Sequence, residues 1–462
     1  MFCVEREKLF EFRHNGLLIY RKSWYTIPLY EMDEVMALQP TNQPLDVGAE
    51  MLCLSDSRFK TMQITVALLL PLAEKTAAAY ALLPYLLRRG CAEYPDFTAL
   101  QRRLDELYGA RITADVSRLG EAQALVLTAQ SLNDRMALQK EPVAAECAGL
   151  LCRMLFDPAL QDGLFRSADV EQEKRCLIET IESEINEKRL YARRRCEELL
   201  CEGEPYAISR YGRADEVAAL TPAEVTGAWK RALSEAQIRI IVQDGDGDAV
   251  ADAFRRQLSA IDRRPVPVVT KTDTPAKPKV AEGREAMDVN QSKLVMGFRL
   301  PMAEPDGDVS AARLMVALFG GTPHSLLFRH VRERLSLCYY CLAGFDRLKG
   351  IMLVDSGVQL DKVEEARAEI LRQLDSVRRG DFTDEDLESA KRSLTSQFET
   401  VPDLQSTLAG YYLAQALLPK LTSPDSAAEE VEAVTRERVM AAAQSAALDS
   451  VYLIAEKGGQ DA

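Results

Sequence analysis

The chain has 462 residues, with 57 basic against 71 acidic side chains and a net charge of −14. That length exceeds one ordinary core and asks for two or more domains. An acidic surface repels nucleic acid and anionic membrane, so neither is expected as a partner, and a hydrophobic fraction of 47% is that of a soluble globular protein.

The opening run, MFCVEREKLFEFRHNG, carries charges where a signal peptide needs an apolar stretch. Residues 1–45 read as an N-terminal extension, with short strand-like runs such as GLLIYRK and no assignable chemistry. The longest apolar stretch, ITVALLLPLA at 64–73, is about half the length that spans a bilayer. Ten scattered cysteines without a disulfide layout suit a reducing cytoplasm. AYALLPYLLRRG, 79–90, has the composition of a buried helix, yet Pro84 near its middle removes a backbone donor and crowds the carbonyl of Tyr80. LYGARITADVSRLGEAQALVLTAQSLND, 107–134, reads as two strands around a turn at Gly120. The acidic run VEQEKRCLIETIESEINEKRL, 170–190, reads as one long solvated helix with i,i+4 pairs such as Glu184–Lys188. EVAALTPAEVTGAWKRALSEAQIRIIVQDG, 216–245, reads as a Thr-capped helix followed by an apolar strand.

The stretch 263–285, RRPVPVVTKTDTPAKPKVAEGRE, is rich in Pro, Lys and Thr and reads as a linker. It separates a first domain, 46–262, from a second, 286–462. In FGGTPHSLLF, 319–328, Gly320 and Gly321 read either as a source of free backbone N–H groups at a helix start, where anions or peptide carbonyls dock, or as a simple strand-to-helix turn. Cys338 and Cys341 form a CxxC in a strand-like run; their odd separation predicts opposite faces, as for ordinary buried cysteines.

The second half repeats the first. LSLCYYCLAGFDRLKGIMLVDSGVQLDK, 335–362, is again a strand pair, turning near Gly350. EVEAVTRERVMAAAQSAALDSVYLIAEKG, 430–458, is again a Thr-capped helix and a strand. At a constant offset of 214, Glu216, Val217, Ala219, Thr221, Val225 and Ala228 meet Glu430, Val431, Ala433, Thr435, Val439 and Ala442. Two matches in the same order predict a duplicated α+β unit with largely antiparallel sheets.

Sites for chemistry are few. The three histidines, His14, His324 and His330, stand in no H-x-x-x-H, H-x-x-E-H or H-E-x-x-H relation, so packing or solvent-facing roles are expected. No G-x-S-x-G elbow or phosphate-binding loop occurs.

The duplicated unit, the linker and the run GGTPHSLLFRHVRERLSLCYY, 320–340, together resemble the insulinase/pitrilysin peptidases, which include the mitochondrial processing peptidase subunits; the resemblance covers about residues 46–462. ALLPYLLRRG and LDELYGARITADVSRLGE are similar to the bacterial YmfF-like branch, which is associated with 5-aminopentanol modification of elongation factor P. The resemblance implies two homologous domains of the LuxS/mitochondrial-processing-peptidase-like metallohydrolase type. Active relatives bind zinc with H-x-x-E-H and a glutamate on a later helix. Anchored on Gly90, the motif falls on 81–85, where Ala81, Pro84 and Tyr85 replace His, Glu and His, and the later ligand falls at Thr180. No zinc is therefore expected in this chain. The resemblance further assigns Arg332 and Tyr339 to substrate contact, where a guanidinium and a phenol can anchor a peptide backbone and stabilise charge on a carbonyl oxygen. From the residues alone, Arg332 pairing with a carboxylate and Tyr339 in a strand core is an equal reading. The implied function is a non-catalytic subunit whose H-x-x-E-H partner chain carries the zinc, with a peptide or unfolded protein as substrate. A peptide-binding scaffold without proteolysis is the alternative.

Overall fold

The computed structural model describes residues 40–457, together with the backbone of a short antiparallel hairpin pairing Leu17–Ile19 with Thr26–Pro28. His14 lies outside the described residues. Two sheets organise the rest. The first contains β1 (Thr41–Asp46), β2 (Ala49–Leu54), β3 (Thr61–Pro71), β4 (Arg111–Leu119), β5 (Ala122–Leu132) and β6 (Gln237–Gln243), in the order β1-β2-β6-β3-β5-β4. The second contains β7 (Ala281–Met287), β8 (Ser292–Arg299), β9 (Cys338–Asp346), β10 (Ile351–Val358) and β11 (Ala447–Glu456), in the order β7-β11-β8-β10-β9.

Leaving out β1, the two orders superpose strand for strand, and each sheet has one parallel pair, β6 with β2 and β11 with β7. The duplicated, mostly antiparallel α+β unit read from the sequence is the architecture. Both hairpins turn where expected, on Gly120 and Gly350, with φ of +58° and +74°. That left-handed backbone carries little steric cost only without a Cβ. The helix Pro222–Glu235 is capped by Thr221, whose backbone N–H donates to Glu224 (2.8 Å), and Thr435 accepts from Arg438 N–H at the start of Arg436–Ser445.

Three boundaries differ from the sequence reading. Residues 41–45 belong to the outer strand β1 of the first sheet rather than to an extension; Pro44 is accommodated there because an edge strand needs no full ladder. Residues 281–285 are the start of β7, so the connector ends at 280. The acidic run is two helices, Ser167–Ser183 and Lys188–Leu200, because Glu187 leaves the helical region (φ −84°, ψ 76°). Glu184 consequently pairs with Arg194 and Arg210 instead of Lys188.

Five helices frame the candidate surfaces and the contacts between the halves: α1 (Glu74–Leu87), α2 (Phe97–Glu106), α3 (Ser167–Ser183), α4 (Lys188–Leu200) and α5 (Gln405–Leu413). Each sheet packs its inner face on helices of its own half, and its outer face on a helix from the other half. Ala192, Cys196 and Leu200 of α4 cover Val295, Leu353 and Ile454 of the second sheet. Leu408, Tyr412 and Leu413 of α5 cover Leu54, Leu69 and Ile241 of the first. This exchange explains the run ITVALLLPLA: β3 is central and buried on both faces, so its side chains need not alternate.

The halves also share a buried ionic cluster. The fully buried Lys349 ammonium, at the β9–β10 turn, donates to Glu121 (2.6 Å) at the β4–β5 turn, to Glu204 and to the Thr272 carbonyl (2.9 Å). Glu204 also holds Arg299 (2.5 Å), and the buried Asp449 holds Lys277 (3.1 Å). The two equivalent hairpins thus meet tip to tip through Glu121 and Lys349, with the connector clamped against both.

Candidate functional site

α1 forms from an alanine- and leucine-rich run with Glu74 in its first turn, where the helix dipole favours an acid. It is buried almost all round. Ala81 is fully buried. The Pro84 ring faces a small apolar void of about 10 Å³ among Leu83, Leu87, Leu155 and Trp229. Tyr85 is half-buried; burial, then Tyr211 and Asp115, push its phenol well above the ordinary value, so it stays neutral. Thr180, on α3, is exposed and its hydroxyl donates to the Cys176 carbonyl (2.8 Å) of its own helix.

A methyl group, a pyrrolidine ring and a protonated phenol supply no imidazole or anionic donor, so the positions assigned to zinc do not fit that metal. Among the described residues no group of three His, Cys, Asp or Glu side chains is arranged to hold a metal ion. What links α1 to α3 instead is an ion pair that sequence reasoning missed. Arg89, one residue before the anchoring Gly90, reaches Glu173 (2.7 Å) and Asp169 (2.9 Å).

The second cluster lies on the edge strand β9. Arg332, on the wide-turned helical segment Phe328–Arg334, places its guanidinium 4.5 Å from the Phe328 ring centre and 5.7 Å from that of Tyr339. Neither bland alternative holds: Arg332 has no carboxylate partner among the described residues, and Tyr339 is 73% exposed. A cation and a phenol held together at a surface are free to engage a ligand.

Gly320 and Gly321 form neither a helix start nor a strand-to-helix turn. They end the segment Ala317–Gly321 and lead by a short turn into the next helical segment. Gly320 is required by close approach: a Cβ would lie 2.8 Å from the Ala343 Cβ of β9 and 2.7 Å from Leu327.

Cys338 and Cys341 also differ from expectation. They sit opposite Val358 and Ser356, so three steps on β9 match two on β10. The extra residue of this bulge reverses the parity, and both thiols face the second-half core. The neighbouring Cys341 thiol, together with Arg332, holds Cys338 below the usual thiol range against the opposing effect of burial. His324 is exposed, and burial followed by Arg329 lowers the pKa of the half-buried His330.

No hydrogen bond, ion pair or ring contact joins Arg332 or Tyr339 to the Ala81–Tyr85 face among the described residues. The first half has its own open edge, β4, and a cleft of about 560 Å³ runs beside it, lined by Asp115 to Arg118, by α4 and by Asp346 of the second half. Asp115 and Arg210, neighbours of Tyr85, stand on its wall.

Comparison with known proteins agrees with this architecture. Residues 220–394 match the family described as the peptidase M16 inactive domain. A crystal structure of a conserved Enterococcus faecalis protein shares the fold with a TM-score of 0.83 and 24% identity, covering 91% of this chain and all of that one. A Pseudomonas fluorescens structure, described as a peptidase M16 inactive domain, has a TM-score of 0.74 and 17% identity, covering 92% of this chain and all of that one. Together these show that the chain has the fold of M16-like peptidase structures and that residues 220–394 are similar to the peptidase M16 inactive domain. Among particular relatives it is similar to the Bacillus subtilis protein YmfF, described as a probable inactive metalloprotease: 29% identity over 398 residues, 86% of this chain and 93% of that protein. No described helix is long and apolar enough to cross a membrane.

Proposed function

We propose that this chain is the non-catalytic subunit of a two-chain zinc peptidase, pairing with an H-x-x-E-H partner and contributing peptide-binding surface. The chain's own α1 lacks ligands, so the zinc and the attacking water belong to the partner. Arg332 and Tyr339 contact the substrate, the guanidinium gripping a peptide carbonyl and the phenol donating to oxygen that gains charge. The resemblance to the YmfF-like branch puts forward elongation factor P modification in the cytoplasm as the setting. The observation that carries the reading is the Arg332–Tyr339 pair, an exposed phenol and a half-buried guanidinium with no carboxylate partner among the described residues, in a chain whose α1 has no metal ligands. Co-expression with an H-x-x-E-H homologue yields zinc-dependent peptide cleavage, and Arg332→Ala or Tyr339→Phe lowers kcat/KM on the order of 100-fold, the scale of one lost oxyanion donor. Wild-type cleavage in both variants removes the substrate role. Peptide binding with no cleavage by the assembled pair favours a scaffold without proteolysis.

A further inference from the structure

The open edge of the first half carries a local charge opposite to that of the chain. Two adjoining depressions of about 530 Å³ each share Arg89 and Phe97: one opens between the end of α1, α2 and the N-terminal end of β4, the other between the starts of α2 and α3. Arg88, Arg89, Arg102, Arg111 and Arg166 stand on their walls around Phe97, which is 69% exposed.

The carboxylates of these walls are already committed. Glu173 and Asp169 hold Arg89, Asp169 also holds Arg166 (2.6 Å), and Asp96 accepts from Ala99 N–H (2.9 Å) as the cap of α2. Just outside, Glu93 holds Arg153 (3.1 Å), Glu106 holds Arg103 (3.0 Å), and Asp105 accepts from Gln101 (2.9 Å). Arg88, Arg102 and Arg111 are exposed, and their side chains have no hydrogen bond or ion pair among the described residues. The dipole of α1 accounts for a cation at Arg88, its C-cap. It does not account for Arg102, on the body of α2, or for Arg111, which opens the edge strand β4.

Unpaired arginines on a chain of net charge −14 form an electrostatic feature against the prevailing field. The adjacent β4 backbone can accept an added strand, which fixes an extended occupant. We infer that this groove takes an acidic segment of an extended peptide, its backbone along β4, its carboxylates on Arg88, Arg102 and Arg111, and an apolar side chain on Phe97. The inference rests on the proposed peptide-binding role and adds a charge preference to it. Bidentate guanidinium–carboxylate pairing supplies the selectivity, and exposure of the arginines makes it sensitive to salt.

The test uses the full chain, with its partner where one co-purifies, and fluorescence anisotropy of three ten-residue peptides sharing apolar positions, with Glu, Lys or Ser between them. The Glu peptide binds at least tenfold tighter than the Ser peptide at 50 mM salt, and the advantage collapses by 300 mM. Arg102→Glu with Arg111→Glu abolishes that advantage while leaving the melting temperature and Ser-peptide affinity unchanged. Arg332→Ala weakens all three peptides alike. Equal binding of Glu and Ser peptides, or an acidic preference that survives the reversal, overturns the inference and leaves the peptide reading intact. Failure of every peptide to bind overturns both. A single-stranded oligonucleotide that outcompetes the Glu peptide, and loses affinity in the same variant, overturns the inference in favour of nucleic acid.

Discussion

Replacing Lys349 with methionine removes a cation that the two halves share while keeping most of its volume. The lost ammonium leaves Glu121, only 2% exposed, with two neutral donors, the N–H and hydroxyl of Thr272 at 2.7 Å each, and leaves Glu204 with Arg299 alone. Breaking a buried pair by deleting one partner costs about 3–5 kcal/mol, because a charge stays buried without compensation. Glu204 keeps a strong partner, so most of the cost falls on Glu121, and about 3 kcal/mol is the expected loss. The second replacement, Glu121→Gln, removes the stranded charge and restores at least about 1.5 kcal/mol, a coupling that only residues in contact show. Guanidinium unfolding followed by circular dichroism measures both. A single variant within about 1 kcal/mol of wild type, or a double variant no better than the single, refutes the claim that this ion cluster joins the halves.

Three further outcomes are expected from the same structure. Burial alone would raise the carboxyls of Glu204 and Asp449, but Arg299 with Lys349, and Ser450 with Lys277, hold both below their unfolded values. Their stabilisation is complete above about pH 5 and is lost as pH falls through the unfolded and then the depressed folded values; thermal melts from pH 6 to pH 3 show that decline, and Lys349→Met shows less of it, whereas parallel curves contradict the assignment. Leu408→Ala, which empties the 1%-exposed contact of α5 on the first sheet, costs about 2–5 kcal/mol although the residue belongs to the other half, and an unchanged denaturation midpoint disproves the exchange. Gly320→Ala forces a Cβ to within 2.8 Å of Ala343 and costs about 1–3 kcal/mol while displacing β9; a melting temperature equal to wild type shows that the approach is not tight.

Local features were legible in the sequence because their causes are local. The Gly120 and Gly350 turns, the Thr221 and Thr435 caps and the alternation around them lie within a few residues of one another, and they suffice to expose the duplication. Features with distant causes were not. Glu121 and Lys349 are 228 positions apart, and nothing near either states that the hairpin tips meet. The parity of Cys338 and Cys341 depends on a bulge opposite β10, which an ideal strand period does not contain. The break at Glu187 follows from α4 crossing to the second sheet, a tertiary demand that overrides a continuous helical composition. At the candidate site, the non-ligand chemistry of Ala81, Pro84 and Tyr85 is plain in the residue types. The freedom of Arg332 and the exposure of Tyr339 required the structure, since the same residues fit a core strand equally well.

Purifying the native assembly and measuring zinc per chain tests the account most directly. It predicts one zinc per pair, held by a co-purifying H-x-x-E-H chain, and less than about a tenth of an equivalent on this chain alone. Stoichiometric zinc on the isolated chain, lost with substitutions around Tyr85, contradicts it.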